Sequence, residues 1–324
     1  MKKLLCLALV LPFVALSQNQ YNYGFSGTTA DLTTAGWVRT NQSTSASTTL
    51  WTVASYTPVT VSATVTPLPF STQAYAVGQS CPAPQGQAGG TNSFALVNFT
   101  STSSTLATGA TISNWLISPS ITVQTGDVVS FYSRIGKFSA TNTASYPDNL
   151  QLRMSTNGAF TANPAAGPAD TGDFTELLVE TNPNLDVTSY PATWTLYTYT
   201  VTGLDTPTDC KFAFRYYVTD GGPQGNNSDI IGIDSFSVDR PLATNDFFKG
   251  NFSVYPNPAT SVLNISNRNN LDITAAQITD VNGRVVAQTT GAVSQINIAD
   301  LTAGVYFLKV TSTQGVGTTR VVKN

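Results

Sequence analysis

The side chains able to do chemistry in this chain are its carboxylates and cysteines, because histidine is absent from all 324 residues. That absence excludes Ser-His-Asp and Cys-His nucleophile pairs and the usual histidine-rich zinc sites. Two facing carboxylates are enough to hydrolyse a glycoside, and Asp148, Glu176 and Glu180 are available for that role. They stand in polar, loop-like sequence, and no spacing brings two of them together. Asp234 is the more informative carboxylate. In "DIIGIDSFSVD" it falls on the same strand face as Ile230, Phe236 and Val238. A charge among apolar neighbours is costly unless hydrogen bonds or an opposite charge compensate. Capping a turn or pairing with an arginine would do so.

The cysteines have to be read together with the start of the chain. "MKKLLCLALVLPFVALSQNQ" has the three parts of a secretory leader: basic Lys2 and Lys3, an apolar stretch from Leu4 to Leu16, and a small-residue exit at Ala15-Leu16-Ser17. Cleavage is placed after Ser17. The stretch is too short for a membrane span, which needs about 20 apolar residues. Cys6 lies inside the apolar run and not at its exit, which is a poor fit to a lipoprotein. After cleavage only Cys81 and Cys210 remain. An oxidising compartment favours pairing them, and closing so long a loop would contribute about 4–5 kcal/mol in the chain-entropy account. Two buried free thiols are the alternative.

Charged residues are few, while Thr, Ser, Asn and Gly are abundant, as on the surface of an extracellular β protein. Residues 18–240 carry seven Lys/Arg against fourteen Asp/Glu, a net of −7. Residues 241–324 carry six against four, a net of +2. An acidic body with no basic stripe argues against nucleic acid as a partner. It is compatible with divalent cations or neutral polymers.

Helical periodicity is nearly missing, and period-two alternation recurs along the chain. "NLQLRMSTNG" puts Leu150, Leu152 and Met154 on one side and turns at Asn157-Gly158. "KFAFRYYV" sets Phe212, Phe214, Tyr216 and Val218 against Ala213, Arg215 and Tyr217. "DVVSFYSR", "WTLYTYTV" and "DIIGIDSFSV" read as further strands. The spacing predicts an all-β fold: a jelly-roll or β-sandwich passenger over 18–240, then a small immunoglobulin-like sandwich over 251–324. "RPLATNDFFKG" shows no alternation, and 241–250 reads as a linker. "GQSCPAPQGQAGG" reads as a long loop pinned at Cys81. Trp37, Trp51, Trp115 and Trp194 sit in or beside strand-like runs and suit a sandwich core, with Trp51 the least certain. Tyr197, Tyr199, Tyr216 and Tyr217 either pave an exposed face or pair within the sheets.

In the last quarter, "FSVYP", "VLNIS", "AQITD", "RVVAQ", "QINIAD", "VYFLKV" and "TTRVVK" read as seven short strands. Asn282-Gly283 is the strongest hairpin signal in the chain, since both residues tolerate positive φ. "VYPNPATSVLNI", "ITDVNGRVV", "LTAGVYFLKV" and "RVVKN" stand in order, and over residues 250–324 the chain closely resembles the C-terminal sorting domain of the type IX secretion system of Bacteroidetes. The resemblance implies the type IX machinery as a partner of residues 251–324. It also implies removal of the domain during export, with the passenger released or attached to the cell surface. Its motif residues are Tyr255, Pro256, Asn257, Pro258, Asn282, Gly283, Gly304 and Tyr306. Tyr255 to Pro258 are expected to shape a turn.

Upstream, "GWVRT" with "LWTV", then "NWLISPSITV" and "VVSFYSR", then "YPDNLQLRMSTNG", and last "CKFAFRYYVTDGGPQGNNSDIIGIDSFSVD" occur in order. This set resembles the cleaved-adhesin or choice-of-anchor J domain, itself similar to the MAM domains of animal surface proteins, over most of residues 21–239. The resemblance implies a jelly-roll sandwich used in adhesion or as an accessory module of secreted enzymes. It implies binding to a polysaccharide or a host or matrix surface, with a polysaccharide-degrading hydrolase and a structural surface component as alternatives. It also implies a structural calcium ion near Asp234, with Asp220 and Asp229 as acidic partners and Asn226 and Asn227 as further oxygen donors. The chain departs from the family at Ser235, where a second acidic or amide residue is common, and at Ser26, where the family often has glutamate; each change removes one candidate ligand.

Overall fold

The computed structural model describes residues 17–136, 146–157, 163–241, 244–291, 293–312 and 315–324. The expected leader, apart from Ser17, and the Gly158 half of the Asn157-Gly158 turn lie outside them. The described chain forms two compact units that divide between Pro241 and Leu242. No helix among the described residues is long and apolar enough to cross a membrane.

Two six-stranded antiparallel sheets make up the first unit. The first sheet contains β1 (Ser17–Tyr23), β3 (Thr52–Val53), β6 (Ala95–Asn98), β9 (Val128–Ile135), β12 (Thr195–Thr200) and β14 (Ile230–Pro241). Its order is β12-β9-β14-β6-β3, with β1 also paired to β14. The second contains β2 (Val38–Asn41), β7 (Ala110–Ile117), β8 (Ile121–Val123), β10 (Leu150–Ser155), β11 (Glu176–Thr181) and β13 (Thr208–Gly221). Its order is β11-β10-β13-β7-β2, with β8 paired to the start of β13. A short ribbon, β4 (Val59–Thr60) with β5 (Ser80–Cys81), and one turn of helix, α1 (Thr29–Thr34), complete the unit.

Alternation decides which face each strand buries. Phe212, Phe214, Tyr216 and Val218 of β13 enter the inter-sheet core together with Phe131 of β9 and Phe236 of β14. The Phe131 and Phe214 rings meet edge to face at 5.0 Å, so the two sheets interdigitate. Ala213 points the other way, into a smaller cluster with Trp115, Ile117 and Phe174. Over this outer face the Arg215 guanidinium stacks between Trp115, at 4.9 Å, and Tyr217, at 3.8 Å. Trp37 and Trp51 are core residues. Trp194 departs from the expectation: it is half-buried on the outer side of the first sheet, against Phe94 and Arg134. The four tyrosines share no face, since Tyr216 lies in the core and Tyr217 outside it.

The expected Cys81–Cys210 bridge is not formed; both thiols are free and buried. Cys81 sits in the β4–β5 ribbon, with its sulfur 3.3 Å from Ser71 Oγ. Cys210 lies on β13 opposite Ile121 in the main core, where burial pushes its thiol up to about 11. The two belong to different packing regions, and each thiol is excluded from water by its own neighbours.

All seven expected strands of the second unit are present: β15 (Phe252–Tyr255), β16 (Val262–Asn267), β17 (Ile273–Thr279), β18 (Val285–Thr290), β19 (Gln295–Asn297), β20 (Gly304–Ser312) and β21 (Gly315–Lys323). They form sheets β15-β16-β19 and β18-β17-β20-β21 around Leu263, Ile278, Leu308 and Val310. The segment expected to be a linker is instead mostly helical. α2 (Thr244–Asn251) buries Phe248 in this same core, 5.7 Å from the Phe252 ring. Gly317 of β21 lets the helix approach so closely: a Cβ there would lie 2.9 Å from Phe248 Cα.

Candidate functional site

β1, β14, β9 and β12 lie side by side, and residues on these strands and just after β1 line a groove of about 480 Å³. Tyr132 lines it on β9; Tyr23, whose ring packs on Phe25 and Trp37, lines its β1 edge; and Leu196, 49% exposed, forms its apolar rim. Asn22, Ser130, Ser235 and Ser237 supply amide and hydroxyl groups. Among the described residues lining the groove there is no Lys, Arg, Asp or Glu. Ser130 and Ser237 hydroxyls bond each other at 2.9 Å, and Ser237 Oγ donates to Asp239 at 2.7 Å just beyond the lining. One wall is shaped by an irregularity: the β14–β9 register slips between Asp234 and Ser237, and Ser235 takes φ 52°. A bulge of this kind re-aims side chains, and left-handed backbone at a serine is a strained arrangement found where ligands bind.

Asp234 sits at that bulge, with none of its surface exposed. Among the described residues no arginine is bonded to it; Arg240 at the end of β14 is held by Asp127 in a two-pronged pair at 2.8 and 2.9 Å. Backbone N–H groups take the arginine's place. Ser235 N donates to Oδ1 at 2.6 Å and Ala88 N to Oδ2 at 3.0 Å, with the Gln87 amide contributing. Burial outweighs these donors and raises the Asp234 carboxyl from 3.8 to about 6. The long loop that follows Cys81 is therefore what closes over the aspartate. The Ser26 and Ser93 hydroxyls bond each other beside it, and Ser235 Oγ donates to Gln87 Oε1 at 2.9 Å.

The expected calcium ligands are not brought together. Asp220 accepts from Asn226 Nδ2 at 2.8 Å in the β13–β14 turn, where Asn227 is also used by backbone bonds. Asp229 N donates to Asp148, and Asp229 lies five residues from Asp234, roughly 16 Å along a strand. Among the described residues no group of three acidic, cysteine or histidine side chains converges. Calcium takes six to eight oxygens, whereas N–H groups occupy both carboxylate oxygens at Asp234. These residues do not fit the ion. The hydrolase candidates are equally dispersed. Asp148 is buried and accepts from Tyr216 Oη at 2.5 Å. Glu180 accepts from Asn149 and Gln151 at 3.0 and 2.8 Å, and Glu176 is exposed on β11.

In the second unit the motif residues have identifiable work. Tyr255, 55% exposed, and Pro256 to Pro258 leave β15 on the surface, with both X–Pro bonds cis. Asn257 then clamps the final strand: its Oδ1 accepts from Val322 N at 2.9 Å, and its Nδ2 donates to Arg320 O at 3.1 Å. Ala259 continues the contact, pairing in parallel with Lys323. Asn257→Ala is expected to cost about 1–2 kcal/mol for two hydrogen bonds. Hydrogen exchange at Val322 should then rise roughly five- to thirtyfold; an unchanged rate would refute the clamp. Of Asn282 and Gly283, only Gly283 takes a positive φ, 80°. The turn is instead built by the Asp280 carboxylate, which accepts from the Asn282 and Arg284 amides, both at 3.0 Å. Gly304 opens β20 opposite Lys323. Tyr306 Oη donates to the carbonyl of Thr302, four residues back, at 2.8 Å, which is the tyrosine corner of immunoglobulin-like sandwiches.

Fold and site thus define an all-β protein of two units, a sandwich carrying a surface groove and a smaller immunoglobulin-like sandwich. Residues 253–324 match the family described as the secretion system C-terminal sorting domain, and this last part of the chain is a type IX sorting domain. Similar solved structures include the K3 cleaved adhesin domain of Lys-gingipain from Porphyromonas gingivalis: 16% identity, 68% of this chain and 98% of that one, TM-score 0.36. The K2 cleaved adhesin domain of Lys-gingipain is 15% identical over 67% and 98%, TM-score 0.37. The adhesin domain of Epf from Streptococcus pyogenes is 8% identical over 94% and 97%, TM-score 0.34. No curated protein matches the chain.

Proposed function

We propose that this chain is an exported binding protein. Its leader and sorting domain deliver the sandwich to the cell surface or the medium, and the groove between Tyr23 and Tyr132 recognises a neutral carbohydrate on a polysaccharide, host or matrix surface. The observation carrying this reading is the composition of the groove: aromatic and apolar surface with hydroxyl and amide groups, and no charged side chain. Ligand sites combine apolar walls with a few polar groups that fix orientation, and uncharged sugars offer both apolar faces and hydroxyls. Asp239 beside the groove and the net −7 of residues 18–240 disfavour anionic polymers.

The test is a glycan array probed with the chain from Gln18 onward, as wild type and as Tyr132→Ala. Neutral glycans are expected to bind, and the variant to lose about tenfold or more in affinity, a difference of about 1.4 kcal/mol, at an unchanged melting temperature. An array with no binding in either protein removes the carbohydrate reading. Undiminished binding by the variant places the site elsewhere.

A further inference from the structure

We infer that the corner around Asp234 is closed by hydrogen bonds in the position where related domains are expected to hold a cation, so that the 84–93 loop is seated independently of calcium. The directions of the donors carry the argument. Ser235 N and Ala88 N point at the two carboxylate oxygens, at 2.6 and 3.0 Å, so each oxygen already accepts one of its two bonds from backbone. The loop backbone lies directly on the carboxylate. A Cβ on Gly86 would stand 2.8 Å from Asp234 Oδ2 and 2.7 Å from Ala88 O, and would collide with Ser93 O as well.

The two departures from the family fall in the same place. Ser26 spends its hydroxyl on Ser93, and Ser235 spends its own on Gln87 Oε1. Each substitution replaces a charged or amide ligand with a short group that bonds to the loop. Charge balance agrees. Among the described residues no group of three carboxylates gathers at this corner to balance the two charges of a calcium ion. Charge-assisted bonds from backbone N–H groups offset part of the cost of a single buried carboxylate.

The experiment is hydrogen exchange localised to residues 84–93 in the chain from Gln18 onward, in calcium and then in excess chelator. The same exchange rate is expected in both. Asp234→Asn presents an amide to the same donors and should raise exchange in the loop about tenfold or more, again equally in both conditions. Faster exchange of the wild-type loop in chelator would overturn the inference without any variant being made. Loop exchange unaltered by Asp234→Asn would overturn it as well, by showing that the carboxylate does not seat the loop. Neither result depends on whether the groove binds a glycan.

Discussion

Trp37→Ala is expected to destabilise the first unit by about 3–5 kcal/mol, the usual cost of deleting a buried tryptophan. Five rings surround Trp37: Tyr21 at 6.5 Å, Tyr23 at 5.5 Å, Phe25 at 5.3 Å, Phe214 at 6.4 Å and Phe236 at 5.7 Å. They come from β1 and the turn after it, from β13 and from β14, so one side chain ties both sheets together. The neighbours are themselves fixed by strand pairing, which limits collapse into the space left behind. Set against a total stability of about 5–15 kcal/mol, the loss is a large fraction. In a unit of this size it corresponds to a fall in melting temperature of about 6–20 °C. Trp194→Ala, at a half-buried outer position, should cost clearly less. Equal losses from the two variants would refute the assignment of Trp37 as the keystone. Tyr23 lines the groove and packs on Trp37, so the same substitution should also weaken ligand binding.

The stability of the first unit is expected to fall as pH rises from about 4 to about 6, by about 3 kcal/mol from Asp234 alone. Burial raises the carboxyl of the folded protein from 3.8 to about 6. Below the lower value the group is protonated in both the folded and unfolded chain and contributes no difference. Between the two values the folded state binds more proton than the unfolded state, so stability declines with rising pH. Above about 6 the group is ionised in both states, and the folded state carries the full cost of a buried charge. Denaturant unfolding of the wild type and of Asp234→Asn between pH 4 and 7 isolates this contribution, because the other carboxylates cancel in the difference. A difference that stays flat with pH would refute it. A cation bound at the corner would also abolish the slope by holding the carboxylate ionised, so this measurement bears on calcium independence from another direction.

Local signals in the sequence determined much of this architecture and little of the site. Each strand of the second unit was legible because a half-buried strand alternates in period two and its turns use residues with their own conformational preferences. Phe212 to Val218 could be assigned to a face for the same reason. α2 escaped because Phe247 and Phe248 sit in a short polar segment whose apolar partners, on β15 and β21, follow it in sequence. The bridge between Cys81 and Cys210 was argued from compartment alone, without the distance that only tertiary packing sets. Asp234 was identifiable as an anomaly, but its donors were not. They are backbone amides, at the adjacent Ser235 and at Gln87 and Ala88 in a distant loop, and a backbone N–H leaves no mark in residue type. The groove is similarly silent. Asn22, Ser130, Tyr132, Leu196 and Ser237 are ordinary strand residues that become one surface only when four distant segments pair.

The Asn257 clamp makes the shape of the sorting unit's first turn depend on a strand more than sixty residues away. Its signature motif lies near the front of the unit, yet the motif is held by hydrogen bonds to Arg320 and Val322 in β21. A chain broken off before those residues would carry the motif intact in sequence and wrong in form. Any partner that reads the clamped form therefore reads the exit of β15 and the strand β21 at once.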